Sequence, residues 1–312
     1  MFGGAEWSAD QKELFDMTNT ILGLVQRTAL CGVLAGAALL GMAHGALALD
    51  HPNGLALDSA GNLYVANAGS VEQGDAGSVQ VYSVAVKSTG VVGTLKGTIT
   101  SNIHNPYSVA VSPFGTIYAG NLGGDTITVY GPNLAQTGTI SDASITTYAM
   151  DMFVDGDGDL FALDAGGKVH VYLDNLAPVS TINVGGLATA ITPWGSNVAV
   201  WGRNASGIST ITANMGEAVH GSASINGNFP NGSLVPTGVA EDSMHQQYAT
   251  NATMGQITVY SANFSTVMTT FNAYGSGIAI DPVRKLIYTS SPSSSMVFVY
   301  SLNKPYKFLG SF

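Results

Sequence analysis

The stretch "SVAVSPFGTIYAGN" (Ser108–Asn121), followed at once by "TITVYG" (Thr126–Gly131), decides the fold of this 312-residue chain. A short apolar run ends in a turn carrying Pro and Gly. An aromatic run follows, and then a "VxVY" run. Three segments of five or six residues rich in Val, Ile, Thr and Tyr, separated by turn residues, read as successive antiparallel strands.

The same pattern returns along the chain. "GLALDSAGNLYVAN" (Gly54–Asn67) precedes "SVQVYS" (Ser78–Ser83), and "DMFVDGDGDLFALD" (Asp151–Asp164) precedes "KVHVYL" (Lys168–Leu173). "TAITPWGSNVAVWG" (Thr189–Gly202) with "GISTIT" (Gly207–Thr212) is the most divergent copy. "TGVAEDSMHQQYATN" (Thr237–Asn251) leads to "QITVYS" (Gln256–Ser261), and "SGIAIDPVRKLIYTSS" (Ser276–Ser291) leads to "MVFVYS" (Met296–Ser301). The matching second-strand positions are Tyr64, Tyr118, Phe161, Ala199, Tyr248 and Tyr288, spaced by 54, 43, 38, 49 and 40 residues. A repeat of this length built from short strands predicts an all-β fold, a six-bladed β-propeller with four-stranded antiparallel blades. The apolar triplet is the inner strand, and Ala56, Ala110, Ala240 and Ala279 suit close approach of neighbouring blades. Segments such as "GTLKGTIT" (Gly93–Thr100) supply outer strands, and the C-terminal "YKFLGSF" (Tyr306–Phe312) supplies the last one. Each blade is expected to be one continuous segment. No stretch after residue 50 keeps a 3.6-residue apolar period, so helix content should be very low.

Residues 1–48 are different material. Ile21 to Leu49 is nearly all apolar or small, with Arg27 its only charge and "ALCGVLAGAALLGMA" (Ala29–Ala43) its core. That length suits a secretory signal, and "ALA" (Ala46–Ala48) suits a cleavage site. The reading is therefore a tail and signal peptide over 1–48 and a propeller over 49–312, secreted or periplasmic. An uncleaved anchor is the alternative. The acidic first 16 residues leave Met17 open as the true start.

Past Ala48 there are 16 acids and 8 bases, a net charge of −8. That argues against nucleic acid, which needs a basic face. It also gives no reason for binding an anionic membrane once the signal is removed. Cys31 is the only cysteine and lies in the apolar segment, so the propeller has no disulfide, thiolate metal site or Cys nucleophile. A monomer is expected.

The fragments "PNGLALDSAGNLYVANAGS" (Pro52–Ser70), "NPYSVAVSPFGTIYAGN" (Asn105–Asn121) and the recurring "ITVY" resemble the six-bladed NHL-type propellers and YVTN-repeat proteins. More distantly, the chain is similar to gluconolactonase-like propellers. The resemblance implies the propeller fold and an extracytoplasmic setting, and it covers binding modules and hydrolases alike.

Candidate site residues follow from the repeat. The position ending the second strand reads Asn67, Asn121, Asp164, Gly202, Asn251 and Ser291. Asn67, Asn121, Asp164, Asn251 and Ser291 would then present oxygens on one face. The gluconolactonase-like resemblance implies that the first four could hold Ca²⁺ there. The alternative is local, since Asn and Asp stabilise strand-ending turns by bonding nearby backbone. Those relatives also use a Glu near the start of the first inner strand, where this chain has Asn53 and Leu55. His51 and His104, each just ahead of a Pro that leads into an inner strand, are the candidates for a general base. His170 reads as a solvent-facing strand residue. "DGDGD" (Asp155–Asp159) looks like a calcium loop but lacks the Gly and Glu spacing of an EF-hand, so it reads as a hairpin turn. No GxSxG elbow, HExxH or phosphate loop is present. Asn-x-Ser/Thr triplets begin at Asn204, Asn231, Asn251 and Asn263.

The expectation is a secreted, non-enzymatic propeller that binds a small molecule or a protein, with no cofactor unless Ca²⁺ binds. A Ca²⁺-dependent lactonase-like hydrolase or lyase and a structural surface or matrix component are the alternatives.

Overall fold

The computed structural model describes residues 48–70, 75–142, 144–145, 147–184, 187–194, 197–203, 209–213, 225–228 and 236–312. The chain divides into Met1–Ala46 and Leu47–Phe312, and the description concerns the second unit. The expected signal segment lies outside the described residues, apart from Ala48.

The described part is a β-propeller of four-stranded antiparallel sheets. The first sheet runs β1 (Pro52–Leu57), β2 (Asn62–Asn67), β3 (Ser78–Lys87), β4 (Gly90–Ile99). The second is β5 (Pro106–Val111), β6 (Ile117–Asn121), β7 (Thr126–Tyr130), β8 (Gln136–Ile140). The third is β9 (Ala149–Val154), β10 (Leu160–Asp164), β11 (Lys168–Tyr172), β12 (Pro178–Asn183). The fourth is β13 (Leu187–Trp194), β14 (Asn197–Arg203), β15 (Ser209–Ala213), β16 (Ile225–Asn228). The fifth is β17 (Gly238–Glu241), β18 (Gln247–Asn251), β19 (Gln256–Tyr260), β20 (Val267–Asn272). The sixth is β21 (Ile278–Asp281), β22 (Leu286–Ser291), β23 (Met296–Ser301), β24 (Phe308–Ser311). Every sheet is one continuous segment, as the repeat suggests, and the C-terminal strand pairs with β23. Among the described residues the only helical turn is a 3₁₀ segment at Pro292–Ser294. The expected count of six blades is not confirmed, because six four-stranded sheets are paired while the blade geometry counts as five.

The register explains the repeat. Ala56 lies opposite Tyr64, Ala110 opposite Tyr118, Ala240 opposite Tyr248 and Ala279 opposite Tyr288. A small inner residue leaves room for the ring of the second strand. In the third sheet two large residues share this place, and Phe153 and Phe161 stack in parallel with centroids 4.8 Å apart. In the fourth, Thr192 faces Ala199, and the missing aromatic bulk is supplied by fully buried Trp201, which packs on Tyr260 and Phe264.

Apolar clusters fill the space between neighbouring sheets, first with second through fifth with sixth, and another joins the sixth to the first. The second and third strands therefore bury both faces, while outer strands such as β20 alternate between half-buried and exposed. Inner strands approach one another closely at glycines as well as at the expected alanines, which lie in or against the inter-sheet clusters. A methyl at Gly54 would meet Ser108 Cα at 2.8 Å, one at Gly238 would meet the Ser276 carbonyl at 2.5 Å, and one at Gly277 would overlap the Asn53 carbonyl. The seam between sixth and first sheets is also pinned by polar contacts. Ser290 Oγ donates to the Asn53 carbonyl, and Arg284 donates to the carbonyls of Gly61 (2.8 Å) and Ala60 (3.1 Å).

Candidate functional site

The expected oxygen ring is present at the strand ends, but its side chains are used inside the fold. Asn67, Asn121, Asp164, Asn251 and Ser291 are all buried. Asn67 Oδ1 accepts from the Asp50 amide at 2.5 Å, and Asn121 Oδ1 accepts from the His104 amide at 3.0 Å. Asn251 Oδ1 accepts from the Met254 amide at 3.0 Å, and Asp164 Oδ1 accepts from the Lys168 amide at 2.9 Å. Ser291 lies 3.3 Å from the Ser293 hydroxyl. Each oxygen therefore ties a strand end to its own turn or to the loop leading into the inner strand. The geometry favours the local role over a shared ligand ring. Among the described residues no three His, Cys, Asp or Glu side chains gather as a metal group would need.

His51 and His104 are both exposed on loops that lead into β1 and β5, and His51 Nδ1 lies 2.7 Å from Asp50. "DGDGD" is a hairpin turn between β9 and β10, with Asp155 Oδ1 accepting from the amides of Asp157 (3.0 Å) and Asp159 (2.9 Å).

His170 corrects the sequence reading. It is 1% exposed, not solvent-facing. Its Nε2 lies 3.1 Å from Asp164 Oδ2, and its Nδ1 lies 3.2 Å from Ser144 Oγ and 3.3 Å from Thr181 Oγ1. Burial pushes the Asp164 carboxyl up, but hydrogen bonds from His170 and the Lys168 amide outweigh it and hold the group below its usual value. The Ser–His–Asp order invites comparison with a catalytic triad. The second sheet argues against it, because Asn121 Nδ2 donates there to Thr128 Oγ1 at 2.8 Å, and Thr128 donates to the Asn102 carbonyl. The same strands and loop are joined by groups without a nucleophile or base. The signal was available in the sequence, since the sister positions Gln80, Thr128 and Thr258 are polar and, as found here, buried.

A second feature escaped the sequence reading. Gly54, Ser108, Ala190, Gly238 and Gly277 occupy one inner-strand position, and Asp151 is the charged residue in that series. Its Oδ2 accepts from the Ile191 amide on the neighbouring inner strand at 3.0 Å, and its Oδ1 from the Met152 amide at 3.0 Å. Asp151 is partly accessible, yet protein surrounds it. Burial, incompletely offset by those two amides, pushes its carboxyl up to about 7. Tyr107 and Tyr148 pair beside it, with ring centroids 5.2 Å apart.

The hairpin turns between first and second strands share one face. Among the described residues, five of these turns are locked by their first side chain: Asp58, Ser112, Asp155, Asp242 or Asp281 accepts from turn amides. The aromatic of the second strand adds to this lock where its hydroxyl reaches the carboxylate, as Tyr248 does to Asp242 at 3.2 Å. The third residue of the turn points outward: Phe114 is 68% exposed, Met244 64% and Val283 87%. With Ala60 between Val283 and Phe114, these positions run over four successive sheets, the fifth, sixth, first and second.

No family model and no curated protein matches the chain. Among solved structures it is similar to Kuenenia stuttgartiensis hydrazine synthase, with 13% identity over 85% of this chain and 99% of that chain and a TM-score of 0.57. It is also similar to a chain in a crystal structure of the mitotic checkpoint complex, with 15% identity, coverage of 91% and 87%, and a TM-score of 0.54. At such identities the likeness is one of architecture, and it places the chain among β-propellers.

Proposed function

We propose that this protein is a secreted or periplasmic, non-enzymatic scaffold, a monomeric six-bladed propeller of NHL/YVTN type that binds a partner through its hairpin-turn face. One observation carries the reading: Phe114, Met244 and Val283 hold large apolar side chains in solvent at one repeat position, on turns fixed by their own hydrogen bonds. Apolar groups on a rigid frame bind with little ordering cost, and grouped exposed apolar residues mark interaction sites. The six inter-sheet clusters support six blades. The lactonase-like alternative has less support, because the oxygens of Asn67, Asn121, Asp164 and Asn251 already accept backbone amides.

Photo-crosslinking residues placed at 114, 244 and 283, with a control at Leu122 on the opposite turns, test the proposal in the native host. Adducts should form from the first three sites and not from the control. Equal labelling at all four sites would sink it. Millimolar Ca²⁺ should leave the melting temperature unchanged, and a rise of several degrees would restore the hydrolase reading.

A further inference from the structure

Charge is unevenly placed in this acidic chain. Residues 262–312 contain four bases (Arg284, Lys285, Lys304, Lys307) and one acid (Asp281), a net charge of +3. These are half of the eight bases that follow residue 48. Arg284 and Asp281 neutralise each other in an ion pair of 2.9 Å. Lys285, Lys304 and Lys307 are exposed and have no ion-pair partner among the described residues.

Two of these lysines border one cleft. Between the fifth and sixth sheets, on the hairpin-turn face, lies a cleft of about 280 Å³ whose walls include Asp242, Ser243, Lys285, Asn303, Lys304 and Tyr306. Lys285 comes from the turn after β21 and Lys304 from the loop after β23. The two loops are joined by the Leu302 amide, which donates to the Lys285 carbonyl at 2.8 Å, so the ammonium groups are carried on coupled backbone. Lys285 also borders a second cleft of about 500 Å³ toward the first sheet, beside Arg284.

Asp242 is the acid in the smaller cleft, and both of its oxygens are already engaged within the fold. Oδ1 accepts from the Met244 and Gln246 amides at 2.8 and 2.9 Å, and Oδ2 accepts from the Tyr248 hydroxyl. Two ammonium groups against one carboxylate leave the cleft a net positive charge, with the Ser243 hydroxyl and the Asn303 amide as added hydrogen-bond donors. We infer that this cleft is a binding site for the oxyanion of a small ligand, a phosphate group held between Lys285 and Lys304. Lysine serves such a ligand as a compact point charge. The protein's overall negative charge then restricts anion binding to this region. The inference stands on the lysines and the cleft and does not depend on the apolar turn residues.

Inorganic phosphate is the probe, measured by isothermal titration at low ionic strength on the whole protein. Saturable one-site binding is expected. Lys285→Gln with Lys304→Gln should weaken it by about tenfold or more, as removal of charge-assisted bonds does. Lys87→Gln with Lys96→Gln should leave it unchanged. Both pairs lie on the surface, so unaltered melting checks the fold. Absence of saturable binding overturns the inference, and so does equal weakening by the two pairs, which would mean a diffuse field rather than a site.

Discussion

Replacing Asp151 by Asn should stabilise the protein at pH 8, with the gain falling to near zero by pH 5. Folding raises this carboxyl from 3.8 to about 7, so the native state binds the proton more tightly than the unfolded chain. Stability from this group is then fully present below about pH 4 and is lost as pH rises toward about 7. A shift of about 3 units at about 1.36 kcal/mol each gives a penalty of about 4 kcal/mol for the charged form above pH 7. Because Asp151 is partly accessible, about 2–4 kcal/mol is the working range. Asn removes the charge but keeps one acceptor oxygen, so it gives up one of the bonds to Ile191 and Met152 amides, at about 1 kcal/mol. The net change is a gain of about 1–3 kcal/mol at pH 8 that shrinks to near zero at pH 5, where the unfolded chain is ionised but the native carboxyl still holds its proton. Urea denaturation midpoints of both proteins across pH 5–8 measure it. A constant offset between them over that range would refute the raised carboxyl and its cause.

Three further outcomes are expected. His170→Thr and Asp164→Asn should each cost about 3 kcal/mol by leaving a buried group unpaired, whereas the double variant copies the Asn121–Thr128 pair of the second sheet and should recover more than half of the summed loss in a double-mutant cycle. The lowered Asp164 carboxyl contributes stability above its unfolded value that is lost as pH falls through its folded one, so the double variant should also show a shallower loss of stability toward acid. Gly277→Ala should cost about 1–3 kcal/mol by overpacking the sixth–first seam, while Gly156→Ala, with nothing near its added methyl, should leave the melting temperature in place.

Much of the architecture was legible because the repeat fixes positions by their surroundings. A Tyr opposite an Ala recurs because one ring fills one gap, and the C-terminal strand is readable because the last copy would otherwise lack an outer edge. The site was less legible for a related reason. Strand alternation suggests that His170 faces water, as it would in a sheet with one free face. Here sheets cover both faces, and the alternate side chain joins a buried hydrogen-bond network. The oxygens at Asn67 and Asn121 show the same limit, since residue type reveals an acceptor but not whether a backbone amide already holds it. Asp151 and the Lys285–Lys304 cleft needed comparison across copies or through space. One is a charge in a column of small residues, and the other joins residues 19 positions apart.

The way each sheet is made from one unbroken stretch of chain has a consequence for inheritance. The fold can change by whole modules, because a tandem duplication or deletion of one copy moves a complete sheet and leaves the others paired as before. The same modularity should make the protein tolerant of relocated termini. Joining its ends and opening the backbone at an exposed loop between two sheets, such as the one around Asn102, would cut no strand pairing. What holds the circle shut is then side-chain fit across each seam, so selection on blade number acts through those contacts rather than through the ladders.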